Sequence, residues 1–387
     1  MGNDVPLPWM TTLGSLVYWT LLLSLIVVTP VVALATERAT ANRLPTVDTP
    51  LWIPLAIAAV LLTYCFTKLA LAGGLTAQEA LDRSVCYEQK IERRVELMKM
   101  LGNHYYSFAY SSLPIVACYL LARSLLQKDR IAGVAFLVLS AAILWLSIAM
   151  AMKAPVLIYL GFVTLTLMMC GFGWFRTPAI MVPLAIGIFF VLSNLQFCSK
   201  DFATWKKVDG AATAAASTIT PLERVLYFSR NAAFRMASTF PYYVQEFSDE
   251  NERCGIDLPP QIRKPACYGN IEVFRLMYPK ITYVTGHAPA PAQVSAYAEG
   301  GPAYVIVVLI AVGVIIGTVA GFARGRDPLS VAIGVALCVF AYYVTQSSFT
   351  GALMHSYGLA WLLFPLVLIA LAGMFTHRLA SLRLSAS

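Results

Sequence analysis

Between Cys198 and Pro302 the chain carries eleven basic and ten acidic residues, so the arrangement of charge matters more than its sum. Three arginines, Arg224, Arg230 and Arg235, punctuate the run Pro221–Ser238 at spacings of six and five, which spreads them over more than one side of a helix. A guanidinium keeps its charge at any physiological pH, and its planar fork bonds two oxygens at once, which suits phosphate and diphosphate. Arg230 is the foremost candidate for clamping such a group and stabilising the charge that builds on it, with Arg224, Arg235 and Arg275 beside it. The bland use of the same residues is to rest a helix on anionic lipid through snorkelling side chains.

Two acid–base candidates follow. His287 lies in Thr285-Gly-His-Ala-Pro-Ala-Pro291, and Glu299 in Ala296-Tyr-Ala-Glu-Gly-Gly-Pro302. A neutral imidazole can take a proton near pH 7, and a carboxylate near lipid tends toward a raised pKa. Without such a role, His287 is a loop residue and Gly300-Gly301-Pro302 turns the chain. Lys68 and Lys153 stand at or near apolar stretches, where a charge is costly and marks a functional position unless it snorkels. No His, Cys and Asp grouping has metal-ligand spacing, so neither a metal nor a cofactor is expected. Cys254 and Cys267 are expected to pair as a disulfide in an oxidising compartment. Cys65, Cys118, Cys170 and Cys338 fall in apolar runs and read as small core residues.

The elements that must position these groups are apolar to an unusual degree. The chain has 387 residues, 59% of them hydrophobic and only 12% charged, with a net charge of +8. A soluble domain carries about 25% charged residues, so a soluble enzyme, a disordered tail and a fibrous protein are excluded. Nucleic acid is not an expected partner, because in a membrane chain the side on which each charge sits matters more than the net charge. About nine stretches are long enough for a bilayer: Thr11–Ala35, Leu51–Ala72, Tyr105–Leu126, Ile131–Met152, Pro155–Trp174, Ala179–Phe197, Ala303–Phe322, Leu329–Tyr343 and Leu359–Phe375. The expected fold is an all-α polytopic membrane protein with one large, partly helical periplasmic loop. The first stretch lacks a basic flank and is read as a retained span. With the N-terminus outside, the short inner segments collect ten Lys and Arg, among them Arg38, Arg123, Arg130, Arg324 and Arg326, against Lys153 in the short outer ones.

Three regions follow: residues 1–197 with six spans and an amphipathic outer segment at 73–104, the loop 198–302, and residues 303–387 with three spans and a cytoplasmic end. In Gly73–His104, five basic residues balance five acidic ones. Leu81, Val85, Ile91, Val95 and Met98 recur at helical spacing, as for a helix on the outer face or one extending the third span.

The layout resembles the Wzy-type O-antigen polymerases, a family of bacterial inner-membrane proteins with a large periplasmic loop. The resemblance rests on Met152-Lys-Ala-Pro155 opening an apolar span, on Glu223–Arg235 leading to Phe240-Pro-Tyr-Tyr243, and on His287–Pro302 with Tyr297, Gly300 and Gly301. Arg253 to Gly269 and Arg275 to Gly286 also fit the Arg-X15-Gly and Arg-X10-Gly patterns described for some members. The resemblance implies a GT-C-like membrane glycosyltransferase that joins polyprenyl-diphosphate-linked oligosaccharides without metal, and a chain-length regulator protein as partner. A hydroxyl of one lipid-linked repeat would attack the anomeric carbon of the other glycan, expelling polyprenyl diphosphate. Arginines aimed at that diphosphate would be the largest catalytic contribution. The rival expectations are an O-antigen ligase with lipid A core as acceptor, a lipid-linked glycan transporter, and a non-catalytic assembly protein.

Overall fold

The computed structural model describes residues 16–40, 49–74, 82, 85, 87–196, 239–256, 267–277, 288–355 and 357–385. Among them there are helices and turns but no strand. Six helices are long and apolar enough to cross a bilayer: Trp19–Ala39, Trp52–Leu71, His104–Gln127, Arg130–Ala149, Ala292–Phe322 and Phe349–Thr376. Ala154–Met169, Arg176–Leu192 and Pro328–Val344 are shorter apolar helices. This is the make-up of a multi-pass α-helical membrane protein, in which each backbone N–H finds its carbonyl within its own helix. The elements are α1 (Leu16–Ala39), α2 (Trp52–Leu71), α3 (Tyr87–Ser107), α4 (Leu113–Gln127), α5 (Arg130–Ala149), α6 (Ala154–Met169), α7 (Arg176–Gln196), α8 (239–246), α9 (Gly269–Met277), α10 (Ala292–Phe322), α11 (Pro328–Val344), α12 (Phe349–Met354) and α13 (Leu359–Ser385).

The chain divides into two compact units. The first comprises residues 1–41, 217–321 and 340–354. In it, α1 packs against α10 along Gly313, Gly317 and Gly321, spaced every four residues on one side of α10. A Cβ at Gly313 would lie 2.7 Å from Val32 Cβ, at Gly317 2.7 Å from Thr36 Cβ, and at Gly321 2.7 Å from Thr40 Oγ1. Small residues at this spacing let two backbones approach closely, which is how helices associate where apolar burial gives no drive. α10 starts eleven residues before the expected Ala303 and is broken at Gly301 (φ 72°, ψ −165°), ahead of Pro302.

The second unit comprises residues 42–216, 322–339 and 355–387. Its centre is α4, buried without interruption from Leu113 to Ala122 and touched by α2, α5, α6 and α13. A π-helical turn, Phe108–Ser112, feeds α4, and Ser112 Oγ donates to the Trp361 carbonyl at 2.8 Å. α3 precedes it, broken at Gly102 (φ 73°, ψ 169°), so the charged segment runs on toward the third span through a glycine hinge. Lys90, Leu97 and Leu101 are buried against the protein, while Val95 and Met98 of the expected apolar stripe stay open on the surface. Asp129 caps α5 by accepting from the Ile131 and Ala132 N–H groups at 3.1 Å, and Arg123 Nε donates to it at 3.0 Å. α5 closes at Ala151, whose φ of 50° is left-handed and costs about 1–2 kcal/mol for a residue with a Cβ.

The glycine stripe sets a test. Gly317→Leu should lower stability by about 1–3 kcal/mol through overpacking against α1. Thermal unfolding in detergent reads this, and an unchanged midpoint would remove the close α1–α10 contact.

Candidate functional site

Within the first unit, one described cation, Arg253, lies at the break in α10. Arg253 is brought there by its neighbour: the Cys254 N–H donates to the Ala298 carbonyl at 3.0 Å, and Cys254 is disulfide-bonded to Cys267. The guanidinium then lies against the backbone of Gly301. A Cβ at that glycine would meet Arg253 Cζ at 2.5 Å and Nη1 at 2.6 Å, so the position needs glycine for room as well as for its positive φ. Arg253 Nη1 donates to Glu250 at 3.2 Å. Its Nε is shut away from solvent and has no hydrogen-bond partner among the described residues. An unmet buried N–H on a charged group is expensive, and a bound anion would satisfy it.

The support beneath this corner is aromatic and dry. Tyr243 and Phe247 are almost wholly buried, and the Tyr243 hydroxyl donates to the Ala288 carbonyl at 3.0 Å. Thr239 Oγ1 donates to the Pro289 carbonyl at 2.7 Å, pinning α8 to the chain that enters α10. Gly269 opens α9 where a Cβ would fall 3.2 Å from Ala298 Cβ and 3.3 Å from Tyr243 Cε1. The glycine of the Arg253–Gly269 spacing is therefore a packing glycine that seats α9 under the corner. Burial pushes the Tyr243 phenol up, and the charge of Glu299 adds to the rise, which places Glu299 within electrostatic reach of this support. Burial also raises Glu246, helped by Glu252 and Glu272. Arg253 thus pairs with Glu250 and lies against the helix break at Gly301, two residues from Glu299 in the chain. Such an arrangement can hold an anion at Arg253, with a carboxylate on the same stretch of helix as a proton acceptor.

Arg224, Arg230, Arg235 and His287 lie outside the described residues. Arg275 is exposed and donates to Glu272 at 2.9 Å on its own helix. Lys68 is exposed on α2 and belongs to the second unit, as does Lys153. Lys153 is half-buried, with Nζ 5.5 Å from the centroid of the Phe189 ring, and burial pushes its ammonium down to about 8. Its neighbour Met152 receives the Tyr110 hydroxyl through Sδ at 3.9 Å. Among the described residues no group of three His, Cys, Asp or Glu is placed to hold a metal ion. Arg253 had not been singled out from the other basic residues for a site role. Its sequence signals were its place directly before a pairing cysteine and its Arg-X15-Gly spacing to Gly269.

No protein-family model, curated protein or solved structure matches this chain.

The disulfide is open to direct test. A thiol-reactive maleimide should leave Cys254 and Cys267 unmodified until a reductant is added. Modification of both in the untreated protein would refute the bond. Closing a loop of 13 residues contributes about 3 kcal/mol in the chain-entropy view, and Cys254→Ser with Cys267→Ser should lose it.

Proposed function

We propose that the chain is a polymerase of polyprenyl-diphosphate-linked oligosaccharide repeat units, acting at the periplasmic face of a bacterial inner membrane. One observation carries the reading: Arg253 presents a buried, unmet guanidinium N–H at the helix break that also bears Glu299. The reaction breaks the bond between the anomeric carbon and the diphosphate oxygen and forms one to a hydroxyl of the second lipid-linked glycan. The hydroxyl proton must leave, and the diphosphate departs with its electron pair. Negative charge builds on the diphosphate in the transition state, and a fixed arginine stabilises it most where water is excluded. Glu299 is the described candidate for taking the proton, with His287 alongside it in the chain.

This reading takes the three shorter apolar helices as spans beside the six longer ones, nine in all, which puts the termini on opposite sides. The excess of Lys and Arg in the short inner segments then makes the N-terminus periplasmic and the C-terminus cytoplasmic. A Cys254–Cys267 bond suits an oxidising periplasm, which supports an outer position for residues 198–302. On this topology Lys68 and Lys153 would stand at the outer side. Arg230, with Arg224, Arg235 and Arg275, completes the set assigned to the diphosphate. Membrane lipid surrounds the spans, and a chain-length regulator is the protein partner this reading calls for.

The surface glycan of a deletion strain carrying variants tests the proposal. The wild-type chain should restore a ladder of lengths. Arg253→Gln should leave the acceptor capped with a single repeat, with rates lower by about 10–100-fold, as for loss of a charge-assisted bond. Bare acceptor with long lipid-linked polymer would make the chain a ligase, and an unchanged ladder in the deletion strain would end the transferase reading.

Lys153 adds a pH dependence with a defined sign. Its ammonium is held at about 8, so it is mostly charged at pH 7 and mostly neutral at pH 9. Its help to diphosphate binding is present below pH 8 and fades above it. Turnover in membranes should therefore fall from pH 7 to pH 9, and Lys153→Arg should flatten that fall. Identical profiles for the two proteins would remove Lys153 from the clamp.

A further inference from the structure

The second unit encloses a cavity of about 300 Å³ between the charged helix α3 and the end of α5. Three cations line it, Lys90, Arg93 and Arg94, and among the described residues no carboxylate does. With Leu97 they occupy positions i, i+3, i+4 and i+7, one face of α3. Summing the charges of residues 73–104 hides this face; Glu92 and Glu96 are exposed on the same helix, and Glu96 reaches back to Arg93. Lys90 is only 5% exposed. Arg93 spends one nitrogen on Glu96 at 3.4 Å and another on the Gly73 carbonyl at 3.3 Å. Arg94 is within electrostatic reach of Tyr106 and donates no hydrogen bond among the described residues.

The rest of the wall is apolar: Val85, Leu97, Ala149 and Met150. Ala151, which completes it, holds the left-handed φ that closes α5, so the wall is built at the expense of local strain. Clustered cations select an anion with several oxygens. An apolar wall beside them selects an anion attached to hydrocarbon. The volume lies at the small end of ligand pockets, enough for a headgroup and the first part of a chain rather than a whole lipid. Val95 and Met98 are open on the surface of the same helix, which suits a helix lying against lipid rather than in water.

We propose that this cavity binds the phosphate headgroup of an anionic lipid, with Arg94 and Lys90 on the phosphate and the first carbons of the chain against Leu97, Ala149 and Met150. The site belongs to the second unit alone and does not depend on the glycan-transfer reading.

The test uses the full-length protein purified in neutral detergent, titrated with dioctanoyl phosphatidic acid, dioctanoyl phosphatidylcholine or sodium pyrophosphate, with binding read by microscale thermophoresis. Phosphatidic acid should bind saturably, phosphatidylcholine should not, and pyrophosphate should bind more weakly than phosphatidic acid. Arg94→Gln should weaken phosphatidic acid binding about tenfold or more. Ala149→Trp should do the same by filling the space with every charge in place, and Val85→Trp serves if Ala149→Trp does not fold. Melting curves of the variants in the absence of lipid establish that they are folded. Wild-type affinity in folded Arg94→Gln would overturn the site, as would equal binding of the neutral lipid. Equal affinity for pyrophosphate would overturn the lipid and assign the cavity to a free phosphate compound.

Discussion

Hydrocarbon offers no hydrogen bonds, so a chain that crosses it must satisfy every peptide group internally. In this protein that constraint makes the departures from helix informative, because each one exposes polar backbone that something must meet. Gly301 breaks α10, Gly102 breaks α3, Ala151 ends α5 in a left-handed conformation, and Phe108–Ser112 winds as a π turn. Chemistry-bearing side chains gather at several of these departures. Arg253 lies on Gly301, the cationic face of α3 stands before Gly102, and Lys153 follows the Ala151 turn. Regular helix provides the scaffold, and its interruptions provide the places where a charge can be held near the membrane without facing lipid.

The two units achieve rigidity differently. In the first, close backbone contact at Gly313, Gly317 and Gly321 holds α1 to α10. The N-terminal part of α10 is tied in turn to Arg253 by the Cys254–Ala298 hydrogen bond and the Cys254–Cys267 link. A guanidinium on a loop thereby inherits the stiffness of a spanning helix, which is what electrostatic preorganisation requires. In the second, α4 is encircled by its neighbours and needs no glycine stripe. There the cations sit on a helix of their own, and their cavity is closed by the strained end of another.

Composition and run length were enough to read the membrane class and the positions of the apolar helices, because hydrophobic runs report directly on the solvent around them. The interruptions were less legible. Gly300-Gly301-Pro302 read as a turn into the span, whereas helix runs on both sides of the break from Ala292 onward. The spacing of Gly313, Gly317 and Gly321 was visible but carried no contact until α1 stood opposite. Lys90, Arg93 and Arg94 were hidden by the neutrality of their segment, since a sum of charges is blind to which face bears them. Arg253 could not be separated from the other basic residues of 198–302, because its distinction is a tertiary contact with Gly301. Arg230 and its companions, the strongest candidates by residue type, fall outside the described residues, so their assignment still rests on sequence.

The energetic argument for Arg253 is one of cost. Filling the space beside Gly301 requires bulk, which an apolar side chain would provide without penalty. Among the described residues a guanidinium there leaves Nε buried and unmet, at a cost of about 1–3 kcal/mol or more for a charged group. Glu250 offsets part of the charge through Nη1 but reaches only one nitrogen of the fork. An arginine in this position is thus poorly explained as packing and well explained as a donor held ready for an incoming anion. Diphosphate departure places its main demand on charge stabilisation and asks less of a base. On the proposed reading, a corner that presents a half-buried cation with one buried N–H, and Glu299 on the adjoining helix, matches that order of requirements.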